Sequence, residues 1–236
     1  MMLTSDLQRP PLSRAVAWRE VGLAVVVLWS VLGGACFFLG AQSIYDRWGT
    51  SLNATLVLDV VFLIGCLAVI GFVFWRQRRQ GEGIVELGWG RPVRMPVIVI
   101  AVVYGLAWTA MSYMRGGDSL AFPWQRPIMM AIGLVLAFAE EIAVRGLILD
   151  RLARCGTSRI IQIVVTAGIM AVYHGVVGHS VWPSYMVSSF VLFGVLSVIY
   201  VYGGRSLTPV YIAHAMAHFL GDPALMQGVL YGVGAG

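Results

Sequence analysis

Glu140, Glu141 and Arg145 fall within six consecutive positions of an otherwise apolar run, Ala139-Glu140-Glu141-Ile142-Ala143-Val144-Arg145. Charge inside such a run is costly and marks a functional site by default. Glu141 and Arg145 are four apart, so on a helix they share a face and can form an ion pair. Glu140 is turned from Glu141 by about 100° on the helical period and lies off that face. It has no helical counter-charge, and a carboxylate so placed suits a general base. Three histidines stand in later apolar runs: His174 in one, His214 and His218 in another. His214 and His218 are four apart and share a face.

The elements that must hold these groups are long apolar stretches. A membrane-crossing helix needs about 20 mostly apolar residues. Runs at roughly 21–42, 54–75, 96–114, 127–149, 160–178, 184–202 and 206–220 meet or approach that length. The expected fold is therefore all-α, a polytopic transmembrane helix bundle of about seven or eight spans. Residues 1–20 read as a cytoplasmic N-terminal segment and 21–236 as one transmembrane domain, with a catalytic core at about 127–220. The first run follows Arg9, Arg14 and Arg19, lacks a small-x-small cleavage site and reads as a retained signal anchor. Gly221-Asp222-Pro223 ends the last run, and the apolar tail after it is too short to span with assurance. The segment Arg76–Met95 carries Gly81, Gly83, Gly88, Gly90 and Pro92, which argue against a long helix.

Composition supports the same class. The chain is 59% hydrophobic and 11% charged, whereas a soluble domain carries about a quarter charged residues. All its basic residues are arginines, and they lie between apolar runs and not in one patch, which fits membrane topology and not nucleic-acid binding. With the N-terminus in the cytoplasm, Arg9, Arg14, Arg19, Arg76, Arg78, Arg79, Arg91, Arg94, Arg151, Arg154, Arg159 and Arg205 fall on the cytoplasmic side. Only Arg47, Arg115 and Arg126 fall outside. That asymmetry sets the orientation, for a multi-pass protein of the inner (plasma) membrane. Trp18, Trp75, Trp124 and Trp182 fall near span ends, as interfacial anchors. Cys36, Cys66 and Cys155 show no metal or disulfide spacing. Asp59 falls near the external end of the second span, where interfacial solvation would account for it.

Depth links the polar residues. At about 1.5 Å per residue, Glu140 lies about 16 Å from Arg151, and His174 about 22 Å from Arg159. On the same rise His214 lies about 14 Å, and His218 about 20 Å, from Arg205. All four fall near the middle of a hydrocarbon layer about 30 Å thick, so they can meet at one point.

The motifs resemble a known family. Glu140-Glu141-Ile142-Ala143-Val144-Arg145 matches the EExxxR motif of the CAAX protease and bacteriocin-processing (CPBP, or Abi) family, similar to the type II CAAX prenyl endopeptidase. The family's FxxxH motif reads Met170-Ala171-Val172-Tyr173-His174, keeping the histidine but not the phenylalanine. Its HxxxN motif reads His214-Ala215-Met216-Ala217-His218, preceded by Ser206-Leu207-Thr208-Pro209. The resemblance covers about residues 127–220.

It implies an intramembrane endopeptidase of the glutamate type, with a peptide or membrane-protein substrate in contact with membrane lipid. Glu140 with His174 would activate water, Glu141 held by Arg145 would support the site, and His214 with residue 218 would stabilise the oxyanion. No cofactor is expected on this reading. Histidine in place of asparagine at 218 leaves a second one open, since three histidines and Glu140 would make a zinc set. The competing functions are a non-proteolytic adaptor or bacteriocin-immunity-type protein on the same fold, and a small transporter with a midplane proton relay.

Overall fold

The computed structural model describes residues 10–49, 51–115, 123–177 and 182–220. The backbone there is helical with connecting turns, and the described residues contain no strand. Helix α1 (Arg14–Leu28) continues as a π-helical segment, Trp29–Ala41. It is followed by α2 (Gln42–Trp48), α3 (Leu52–Arg79) and α4 (Met95–Arg115). Helix α5 (Gln125–Glu141) passes into a second π segment, Ile142–Leu149, and then α6 (Asp150–Arg154). Last come α7 (Arg159–Val177), α8 (Trp182–Tyr202) and α9 (Leu207–Phe219). Each apolar run of the sequence corresponds to a helix, and the architecture is the expected all-α membrane bundle. Among the described residues, four helical stretches are long and apolar enough to cross a membrane: Arg14–Ala35, Leu52–Arg79, Gln125–Arg154 and Pro183–Tyr202. The apolar parts of α4 and α7 are shorter.

Burial is inverted relative to a soluble protein. Ile64, Leu67, Val99, Val103 and Val187 point outward, whereas Glu141, Arg145 and Arg151 are fully enclosed. Such a surface suits lipid, where every polar group has to find its partner inside the bundle. Lipid tails are as apolar as leucine, so close backbone approach and interhelical hydrogen bonds must supply the association. The α4–α9 contact does this at Gly105, where a Cβ would stand 2.9 Å from the Ala213 carbonyl oxygen. One turn on, Thr109 donates its hydroxyl to the carbonyls of Gly105 and Met216 at 2.9 and 3.2 Å. Helix α9 packs also on α5, α5 on α3, and α7 on α8.

The segment after α3 is non-helical from residue 80 to 94, as its glycines predict. It is nevertheless built into the bundle. Leu87 is completely buried, and the Trp89 ring meets Phe138 and Tyr211 edge-on at 5.3 and 5.4 Å. Gly88, at φ +102°, lets its carbonyl accept the first amide of α9, from Leu207, at 2.9 Å, while a Cβ there would strike the Arg205 carbonyl. Glu82 accepts from Arg154 at 2.6 Å and pairs with Arg151, which also binds Gln77 and Asp150, each at 2.6 Å. Arg76 pairs with Glu20, and Arg205 donates to Gln162 at 2.8 Å. Many of the arginines assigned to one side of the membrane thus knit together one end of the bundle.

One expectation is altered, and two arginines turn inward. Arg126, at the start of α5, and Arg151, in α6, are both buried. Asp59 is buried, with Tyr45 within its electrostatic reach, so interfacial solvation does not describe it. Trp18, Trp75 and Trp124 are exposed, as interfacial anchors should be, and Cys66 and Cys155 are free thiols. His179, most of Gly116–Arg126, the tail after Leu220 and the side chains of Cys36 and Trp182 lie outside the described residues.

Candidate active site

Helix α5 delivers both glutamates in its last turn, and the π segment that follows delivers Arg145. A π turn takes up more residues than an α turn, and single π turns recur at functional sites. Every residue of Ile142–Leu149 is buried, so this is the centre of the bundle. Glu141 Oε1 accepts from Arg145 Nη1 at 2.9 Å, the pairing the spacing predicts. Arg145 Nη2 donates in addition to the Phe193 carbonyl at 2.8 Å and lies 3.4 Å from the Ser197 hydroxyl. Its guanidinium also sits over the Phe193 ring, 5.0 Å from the centroid.

Helix α9 supplies the next groups. His214, 2% exposed, puts Nδ1 2.9 Å from Glu141 Oε1 and Nε2 3.8 Å from Glu140 Oε2. His218 Nε2 lies 3.2 Å from His214 Nε2. Gly133 of α5 makes room for this seat: a Cβ there would stand 2.9 Å from His218 Cβ. Glu140 is 2% exposed, and its Oε2 has no hydrogen-bond partner among the described residues. On α7, His174 Nδ1 lies 2.8 Å from the Met170 carbonyl. Its ring stacks obliquely on Phe193 at 5.0 Å, and the same Phe193 ring meets His214 edge-on at 5.2 Å.

Five residues predicted from sequence therefore gather directly. Glu140, Glu141, Arg145, His214 and His218 form one continuous set of contacts. His174 joins through the ring of Phe193 and not by a direct contact with Glu140, whose histidine neighbour is His214. Sequence reasoning missed the whole contribution of α8: the Phe193 ring and carbonyl, Ser197, and Tyr185, whose ring lies edge-on to His174 at 5.2 Å. The visible trace of α8 is its buried serines, Ser189 and Ser197, in an otherwise apolar span.

The hydrogen bonds assign the protons. A carboxylate paired with arginine only accepts, so His214 Nδ1 carries the hydrogen given to Glu141. A carbonyl also only accepts, so His174 Nδ1 carries its hydrogen too. In their neutral forms both histidines then present a bare Nε2, and His218 Nε2 donates to that of His214. The site is rich in acceptors for a water's protons and poor in free donors. Among the described residues, no three histidine, cysteine, aspartate or glutamate side chains are arranged to hold one metal ion.

The helices and their enclosed charges define an all-α membrane protein with a Glu/His/Arg centre inside the bundle. Residues 122–220, which carry all three motifs, match the family described as type II CAAX prenyl endopeptidase Rce1-like. No curated protein and no solved structure matches the chain.

Proposed function

We propose that the chain is a metal-free intramembrane endopeptidase that hydrolyses a peptide bond of a membrane-associated substrate. The observation that carries the reading is the Glu140 carboxylate: enclosed, off the arginine pair, with an oxygen that no described group hydrogen-bonds and His214 Nε2 3.8 Å away. A water seated there can pass a proton to Glu140 while its oxygen attacks the scissile carbonyl. His174, fixed by Met170 with Nε2 bare, helps to orient that water. Glu141 and Arg145 hold His214 in register. His218 in turn donates to His214, so the pair fixes the wall of the site beside Glu140. The family match supports the same class, since that family is described as a CAAX prenyl endopeptidase. The orientation with the N-terminus in the cytoplasm of the plasma membrane rests on the arginine asymmetry.

The test is substrate trapping. Membranes carrying Glu140→Gln are compared with wild type by mass spectrometry of membrane peptides. Uncleaved precursors should accumulate in the variant, with the matching cleaved termini present only in wild type. Identical peptide populations would point instead to an adaptor built on this fold.

A further inference from the structure

We propose that the hydroxyl of Tyr185 is a catalytic hydrogen-bond donor to the carbonyl oxygen of the scissile peptide; this rests on the endopeptidase reading above. The argument begins from a shortage. Each histidine of the site, in the tautomer its partners dictate, has already spent its N–H. His174 gives its hydrogen to the Met170 carbonyl, His214 to Glu141, and His218 to His214. Arg145 is turned toward Glu141, Phe193 and Ser197. Water attack on a peptide leaves an oxyanion that needs a preorganised donor; the three histidines have none to spare, and Arg145, whose Nε–H is unpaired, is fully enclosed and committed to Glu141 and Phe193.

Tyr185 supplies one. It stands in the first turn of α8, partly buried, with its ring edge-on to His174 and its hydroxyl within electrostatic reach of Glu140. Among the described residues that hydroxyl has no hydrogen-bond partner. The neighbouring residues Ser184, Val187 and Ser188 line an open cleft of about 600 Å³ together with Trp108 and Met111 of α4. The step balances without a co-reactant. Water oxygen bonds to the carbonyl carbon, Glu140 takes the water proton, and the carbonyl π pair moves to oxygen, where the Tyr185 O–H donates without transferring its proton. Collapse of the intermediate breaks the C–N bond, and the leaving amine takes the proton back from Glu140.

The experiment uses the full chain in lipid vesicles with a fixed set of internally quenched apolar peptides. A phosphinate version of the peptide cleaved best serves as a tetrahedral mimic. Tyr185→Phe keeps the ring and removes only the donor. Turnover should fall by about 10²–10³, as for loss of one oxyanion donor, with KM little changed. Phosphinate affinity should fall by a similar factor while affinity for the uncleaved amide in a Glu140→Gln background is retained. Tyr104→Phe is the control: it also removes an unpartnered buried hydroxyl, but one that faces Arg145. If Glu140→Gln is inactive while Tyr185→Phe keeps turnover within about twofold, or loses only in KM, the tyrosine assignment is overturned and the protease reading stands. If the wild type cleaves none of the peptides, or Glu140→Gln cleaves as well as wild type, both fall.

Discussion

Replacing Glu141 by glutamine should destabilise the protein far more than the same change at Glu140. Arg145 is fully enclosed, and among the described residues Glu141 is the acidic side chain in ion-pair contact with it. Removing one member of a buried ion pair leaves an uncompensated charge and costs about 3–5 kcal/mol. The Phe193 carbonyl remains to accept from Nη2 but carries no charge. The glutamine amide would also place a donor where the His214 N–H now points. For a chain of this size each kcal/mol lowers the melting temperature by about 2–4 °C, so the expected drop is roughly 6–20 °C. Glu140 makes no such pair, and Glu140→Gln should melt within about 3 °C of wild type. The double variant Glu141→Gln/Arg145→Met is decisive, because exchanging a whole buried pair for neutral groups is often close to neutral. It should melt above the Glu141→Gln single variant. The assay is intrinsic tryptophan fluorescence during heating of purified protein in detergent. Equal melting of the two glutamate variants, or additive losses in the double variant, would refute the reasoning.

Glu140→Gln should lower peptide turnover by about 10²–10⁴, the usual contribution of a general base, and residual activity within a few fold of wild type would remove Glu140 from that role. His218→Asn should keep most activity, since an amide can donate to His214 as the imidazole does; His218→Ala leaves the His214 ring without that tie and should cost about 10² through misplacement. An inactive asparagine variant together with inactivation of wild type by chelator would replace the metal-free reading with a zinc enzyme. In a background without the native cysteines, Asp46→Cys should react with an impermeant thiol reagent on intact cells and Val85→Cys should not; the reverse pattern would invert the topology.

What the sequence revealed and concealed follows from the kind of contact involved. The Glu141–Arg145 pair and the His214–His218 pair were legible because a four-residue spacing places side chains together on any helix, whatever surrounds it. Convergence of α5, α7 and α9 was legible because burial in lipid leaves ionisable groups only one direction to point. The role of α8 was not legible. It is apolar almost all round, so no face announces itself, and its main tie to the site is the Phe193 carbonyl, which every residue type possesses. The docking of residues 80–94 escaped for a related reason. Their glycines forbid a helix, but nothing in their pattern says that Leu87 and Trp89 are to be buried between helices. The burial of Arg126 and Arg151 was not legible, because a rule that counts arginines near span ends takes no account of where the side chains turn.

Arg145 explains why stability and chemistry should be hard to separate at this site. Its guanidinium bonds Glu141 one turn away, the Phe193 carbonyl on α8, and lies near Ser197 a turn further along the same helix. Glu141 in turn holds His214 on α9. One cation therefore sets the register of the helices carrying the EExxxR and HxxxH motifs against the helix carrying Phe193, whose ring then spaces His214 from His174. Because lipid gives apolar faces little preference among sliding positions, such a polar knot is what can fix relative depth. Displacing Phe193 would shift His174 and His214 together. The pair next to Glu140 is thus bound into the fold, while Glu140, which contributes nothing to that knot, is left free to take part in chemistry.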